Sequence, residues 1–346
     1  MRNRTLVGGS AASVLAAATA WLAHSAPAVA QGFYDRRQIT LVVGVEAGPG
    51  YDTYGRVVGR HIGRFIAGKP TVVVQNMPGA GTAKAAEYIY TLAPKDGSVF
   101  AIIFPGTILE PLTAEPGKHR FDPPKFAYIG SADSGVRMCI TSKTSRIKTF
   151  KDALQIPSVL GGAQPGAAIT DYAQMMVNLA GAKFKIVNGY RSTLPTMLAM
   201  ERGEIDGVCG LDMSSLRAMR PTWTDPGEAN LLVQAAIEPR KDLLDRGVPS
   251  LWDFVTGDSR KAAAIVVAQQ EFQRPFIAPP ETPADRLAIL RAAFMATLSD
   301  PEVLAEADKM GLTIGPKDGE TVAALVKQLY ASPPELIERL RLALRP

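Results

Sequence analysis

Three short segments hold the residues best placed for chemistry, and none of them contains an obvious nucleophile. They are Glu46-Ala47-Gly48-Pro49-Gly50-Tyr51-Asp52, Asn76-Met77-Pro78-Gly79-Ala80-Gly81-Thr82, and Gly161-Gly162-Ala163-Gln164-Pro165-Gly166 with Thr170 just beyond. Glycines let backbone N–H groups approach a ligand closely. A helix that starts after such a segment adds unpaired donors and a partial positive charge, which favours an anion. One glycine-rich turn is usually no more than a turn. Three of them in corresponding positions point to a cradle for a carboxylate or phosphate. None of the three contains G-x-G-x-x-G and no Walker lysine follows them, so a dinucleotide site is disfavoured.

Enzyme chemistry has little to build on. Two histidines, His61 and His119, lie beyond the first 30 residues, and neither falls in a glycine segment. There is no G-x-S-x-G, no H-E-x-x-H and no zinc-type cysteine pair. No cofactor and no metal are expected. The two cysteines, Cys139 and Cys209, lie in short apolar stretches; they form either one disulfide or two buried thiols on strands.

The elements that must position these segments alternate. Ile39–Val45 is a near-continuous apolar run, as in a strand covered on both faces. Val58, Ile62 and Phe65 then recur at helical spacing. Strands are predicted at 71–74 and 99–104, with a helix at 82–92 between them. The rhythm restarts with strands at 137–141, 158–162, 184–187 and 205–209 and helices at 169–180 and 194–200. This order predicts an α/β fold of two lobes, each a mainly parallel sheet flanked by helices. In parallel sheets ligands bind at the carboxyl ends of strands, where all three glycine segments fall. The final third is mainly helical, with starts signalled at Thr282-Pro283, Asp300-Pro301 and Ser332-Pro333.

Residues 1–30 have the pattern of a secretory leader: Arg2 and Arg4, an apolar stretch from Val14 to Leu22, and Ala28-Val29-Ala30 as cleavage site. A periplasmic or extracellular location is therefore expected. The chain has 346 residues and a formal charge of +5; without Arg2 and Arg4 its 38 basic residues become 36 against 33 acidic ones, or +3. That near-neutral balance, with no basic cluster interleaved with aromatics, argues against nucleic acid as a partner.

Several of these features occur together in one family. The strand and glycine loop with Asp52 and Arg56, then Val73-Val74-Gln75-Asn76-Met77-Pro78-Gly79-Ala80-Gly81 and Ala93-Pro94-Lys95-Asp96-Gly97, resemble the periplasmic solute-binding proteins of tripartite tricarboxylate transporters, the TctC or Bug-type family. Asn188-Gly189-Tyr190-Arg191, Gly203-Glu204-Ile205-Asp206, Val248-Pro249-Ser250-Leu251 and the stretch from Ala278-Pro279 to Thr282-Pro283 continue the resemblance in order, over about residues 38–315. It implies a two-lobed binding protein of the Venus flytrap (type II) kind, with lobe 1 at 31–130 plus 235–346 and lobe 2 at 131–234. A small organic carboxylate would sit between the lobes and pass to permease subunits in the membrane, with a monomer doing the binding.

Carried over residue by residue, the resemblance places ligand contacts at Gly48, Gly50, Tyr51, Asp52, Ala80, Gly81, Ala163, Gly166 and Thr170. Tyr190, Arg191 and Asp212 are further candidates from their chemistry. Tyr51 stands where the family usually has a small residue, so it is expected to stack on or bond to a bulkier, aromatic acid. Asp52 either pairs with Arg56 four residues on or caps the helix, and is expected to orient the loop rather than touch an anion. Arg191 forms a bidentate bond to a carboxylate or sits on the surface. Asp212 lines the cleft or caps the next helix. Two other functions stay open on sequence: a binding protein that signals to a receptor, and a secreted enzyme.

Overall fold

The computed structural model describes residues 1, 32–48, 50–115, 117–164 and 166–345. The expected leader and its cleavage site, beyond Met1, lie outside the described residues, as do Pro49 and Pro165 of two glycine segments.

The first sheet is built by β1 (Gln38–Val43), β2 (Thr71–Asn76), β3 (Val99–Ile102), β4 (Ala127–Ser131), β10 (Pro275–Ala278) and β11 (Lys317–Asp318), in the spatial order β11-β4-β10-β3-β1-β2. The second is built by β5 (Arg137–Ser142), β6 (Ser158–Gly161), β7 (Phe184–Val187), β8 (Gly207–Asp212) and β9 (Ala229–Ala235), in the order β7-β6-β8-β5-β9. The longer helices are α1 (Tyr51–His61), α2 (Ala83–Thr91), α3 (Pro105–Thr113), α4 (Ala168–Ala180), α5 (Thr193–Glu201), α6 (Met213–Met219), α7 (Gly257–Ala268), α8 (Ala284–Ser299), α9 (Pro301–Lys309), α10 (Gly319–Tyr330) and α11 (Pro334–Ala343).

The apolar run of β1 divides its residues between two faces, as the period of a strand requires. Leu41 and Val43 join Phe100, Ile102 and the α1 residues Tyr54, Val57 and Val58 in one core. Val42 joins Ala101, Ile103 and the α2 residues Ala85, Ala86 and Ile89 in another. Helices cover both faces, which is why β1 shows no polar alternation.

Both sheets are mixed rather than mainly parallel. β1 pairs in parallel with β2 and β3, and β6 with β7 and β8. Besides the edge strand β11, which pairs antiparallel with β4, the antiparallel members are the strands that have just crossed from the other sheet. β10 inserts antiparallel between β3 and β4, and β5 lies antiparallel between β8 and β9. The outward crossing is residues 132–136. The return is later than the residue 235 suggested by sequence. Ser250 bridges to Gln234, the Trp252 indole donates to the Ala236 carbonyl at 2.8 Å, and Phe254 packs on Phe150 at 4.6 Å, so the chain stays against the second sheet. It crosses back at residues 269–274, just before β10. No proline–glycine linker marks this point, which is why it was not legible.

Helix starts follow the sequence signals, except that neither Thr282 nor Ser332 caps its helix. Thr149 and Asp152 form a reciprocal capping box, and Asp300 caps α9. Thr282 does not cap α8; its hydroxyl donates to the Pro279 carbonyl at 2.7 Å, and the helix starts after Pro283. A disulfide joins Cys139 of β5 to Cys209 of β8, both buried in the second sheet. Among the described residues no helix is long and apolar enough to cross a membrane.

Candidate functional site

The first two glycine segments follow β1 and β2, and the third follows β6. All three pack against a fourth that sequence reasoning missed, Phe104–Thr107, where β3 ends and α3 begins. Tyr51, at the end of the first segment, sets its ring edge-on to Phe104 with centroids 4.6 Å apart. Thr82, at the end of the second, accepts the Phe104 N–H at 2.9 Å and hydrogen-bonds Thr107 through its own hydroxyl at 2.6 Å. Gly166, in the third, puts its carbonyl against Gly106, so closely that a Cβ on Gly106 would come 1.9 Å from that oxygen. The last contact is between the two lobes, because Gly106 belongs to the first sheet's helices and Gly166 to the second's. Glycine at 106 is what lets the two backbones touch.

Each segment is braced by side chains close to it in sequence. Asp52 accepts the Gly48 N–H at 3.0 Å, the Arg56 Nε–H at 2.8 Å and the Asn76 amide at 2.8 Å, tying the first segment to the second. Burial disfavours its charge, but the bonds from Arg56, Asn76 and Gly48 win and hold its carboxyl below the usual range. Asp52 is thus a loop brace. Ala80, Gly81 and Thr82 all take left-handed backbone, with φ of 45°, 57° and 73°. Thr170 accepts the Ala163 N–H at 2.8 Å, and Asp171 accepts the Gly166 N–H at 3.0 Å. The N–H groups of Gly48, Ala163 and Gly166 are therefore engaged by their own segments rather than free for a ligand. The Thr170 hydroxyl, used as an acceptor, keeps its proton to donate.

Behind the segments, the crossings carry a buried charge network. Arg274 is 1% exposed. Its Nη2 donates to Asp212 Oδ2 at 3.0 Å, and its guanidinium lies 4.4 Å from the Tyr51 ring centroid and 4.9 Å from that of Tyr54. The Tyr51 hydroxyl donates to the Gln273 carbonyl at 2.7 Å. The Tyr54 hydroxyl donates to the Thr313 carbonyl at 2.7 Å and lies 3.2 Å from Asp133 Oδ2 and 3.4 Å from Ser214 Oγ. Lobe 1, both crossings and lobe 2 thus meet at one point. Arg137 adds a second guanidinium, donating to the Gly210 carbonyl at 2.8 Å.

Three buried carboxyls respond differently to this setting. Burial opposes the charge of Asp212, yet Arg274, Arg137 and the Ser214 and Ser215 bonds hold it far below the usual carboxylate range. Burial wins at Asp133, with help from Asp212 and against Arg274, and pushes it up to about 7. Burial wins again at Asp171, where Glu110 raises it further against Gly166 N–H and Arg137, and it also reaches about 7. The difference follows from pairing: Asp212 has a guanidinium in contact, and the other two have none.

Of the candidates named from sequence, Gly48, Gly50, Tyr51, Asp52, Ala80, Gly81, Ala163, Gly166 and Thr170 fall on the three segments. Asp212 caps α6, one of the two roles expected of it, through the Ser215 N–H at 2.8 Å, and it pairs with the buried Arg274. Tyr190 is half-buried and its N–H donates to the Gly162 carbonyl at 3.2 Å. Arg191 is exposed on the β7–α5 loop, away from the buried network. Tyr51 departs from expectation, since its hydroxyl and one ring face are spent inside the protein. The residues missed, Phe104, Gly106, Asp133, Arg137, Asp171 and Arg274, are isolated in sequence. The only cue is a charged residue next to an apolar strand, as at Arg274 before β10. A cavity of about 740 Å³ opens beside the Gly106–Gly166 contact, lined among others by Glu110, Asp171, Gln269 and Arg341. Among the described residues no cluster suited to a metal ion occurs.

The fold is the two-lobed α/β fold of periplasmic binding proteins. The periplasmic binding protein BugD is similar over 90% of this chain and 98% of its own, at 20% identity and a TM-score of 0.66. MatC from Rhodopseudomonas palustris, solved with bound malate, is similar over 89% of this chain and 99% of its own, at 20% identity and a TM-score of 0.66. A second R. palustris protein, solved with adipate, is similar over 88% and 97%, at 18% identity and a TM-score of 0.66. No protein-family model matches the sequence, and no curated protein does.

Proposed function

We propose that this protein is a periplasmic solute-binding protein that captures a small organic carboxylate between its lobes and hands it to a tripartite tricarboxylate-type membrane transporter. The observation that carries the reading is the convergence of three glycine segments from two lobes on Phe104–Thr107. Helix α3 starts there, and its N-terminus adds a favourable field for an anion. The likeness to structures holding malate and adipate agrees with that chemistry. The lobes, residues 32–131 with 275–330 and residues 137–268 with the last helix α11 packed on them, close by bending at the connections between them. The leader pattern directs the chain to the periplasm, and the binding unit is a monomer. The ligand is bound and released unchanged.

A thermal-shift screen of organic acids tests this. A ligand at one hundred times its Kd adds about 2.7 kcal/mol to the native state. One or a few carboxylates are expected to raise the melting temperature, and the acid should be recovered intact. No shift with any carboxylate, or a changed acid, contradicts the reading.

A further inference from the structure

Tyr51 lies where the ligand site and the crossings meet, and it is fixed there from three sides. Its hydroxyl is bonded to the Gln273 carbonyl, one face carries the Arg274 guanidinium, and its edge meets Phe104. The side chain is only half-buried, so the rest of the ring borders the seam. Swinging it away would break a hydrogen bond, a cation–π contact and an aromatic pair together. Behind the ring, Arg274 Nε is buried without a hydrogen-bond partner, although Nη1 and Nη2 are bonded.

We infer that Tyr51 sets the length of acid the cleft accepts, because its fixed ring walls the seam off from the Arg274 guanidinium. This rests on the carboxylate reading above. An acid held by the glycine segments ends at the ring. Removing the ring uncovers a cation with an unpaired N–H, and the far carboxylate of a longer diacid then reaches it. The hydroxyl is not the reader: it donates to Gln273, so the ring and not the phenol proton decides.

The test is calorimetric titration of unbranched diacids of four to eight carbons, succinate to suberate, into the wild type, Tyr51→Phe, Tyr51→Ala and Tyr51→Leu. Tyr51→Phe keeps the ring and should keep the preferred length. Tyr51→Ala should move the optimum by two carbons or more and bind the longer acids at least tenfold tighter than the wild type does. Tyr51→Leu, which preserves apolar packing, should move it in the same direction if Tyr51→Ala does not fold. An unchanged optimum in whichever of these folds overturns the inference and leaves the carboxylate reading intact. So does a wild type that binds only monocarboxylates. A wild type that binds no carboxylate at all removes the reading itself.

Discussion

The glycine segments and the crossings meet at one seam but are held in opposite ways. The segments are braced locally: Gly48 by Asp52, Ala163 by Thr170 and Gly166 by Asp171, over separations of 4, 7 and 5 residues. The crossings are held by buried side chains far apart in the chain: Arg274 with Asp212 and Tyr51 with Gln273, over 62 and 222 residues. A locally braced loop keeps its shape whether the lobes are open or closed. The contacts at the crossings depend instead on groups that the whole fold brings together. The segments are thus shaped by neighbours in sequence, and the crossings by contacts remote in sequence.

This contrast breaks first at Arg274. Arg274→Met leaves Asp212 buried without its main partner, and removing one member of a buried pair costs about 3–5 kcal/mol. The urea midpoint should fall accordingly. A loss below about 1 kcal/mol would show that the pair is solvated and carries little.

Gly106→Ala sharpens it next. The new methyl would lie 1.9 Å from the Gly166 carbonyl, a backbone atom that cannot turn aside. Alanine suits the first turn of α3, so the cost falls on closure rather than on either lobe. Small-angle scattering should show a more extended particle, and carboxylate affinity should drop at least about tenfold, or 1.4 kcal/mol. Unchanged scattering and affinity would mean that this contact is not part of the binding form.

The pH response comes third. Asp133 and Asp171 are raised to about 7 in the folded protein, above the ordinary aspartate value near 3.9. Between about pH 4 and 7 the folded form holds protons that the unfolded chain has released. Their contribution is complete below about pH 4 and lost as pH rises to 7, at up to about 1.4 kcal/mol per unit per group. Asp212 acts the other way, and its contribution is lost only at more acidic pH, below the unfolded value. Stability should therefore increase from pH 7 to pH 5, and Asp133→Asn with Asp171→Asn should flatten that slope. An unaltered slope in the double variant would place the titration elsewhere.

Thr170→Val is the mildest change. It removes the acceptor for the Ala163 N–H, at a cost of about 1 kcal/mol, and also the proton the hydroxyl keeps for a ligand. A larger loss in binding than in stability is expected, and equal losses would make Thr170 purely a brace.

The same contrast explains what the sequence revealed. A glycine segment after a strand is a pattern within a few residues, so its position at the strand ends was legible, as was the capping of α6 by Asp212. The ion pair of Asp212 with Arg274 was not, because each looks alone like an ordinary surface charge and nothing local marks its partner. Arg191, beside an aromatic in a glycine turn, had the better local context and lies exposed. Tyr51 was legible as unusual, but its bond to Gln273 depends on a crossing that no linker composition announces.

Calorimetric titration of the carboxylate that gives the largest thermal shift, with the acid followed by NMR, tests the central claim most directly. One acid bound per chain and returned with an unchanged spectrum is the predicted result. The appearance of a new species, or binding that persists undiminished when Gly106→Ala blocks the lobe contact, would contradict it.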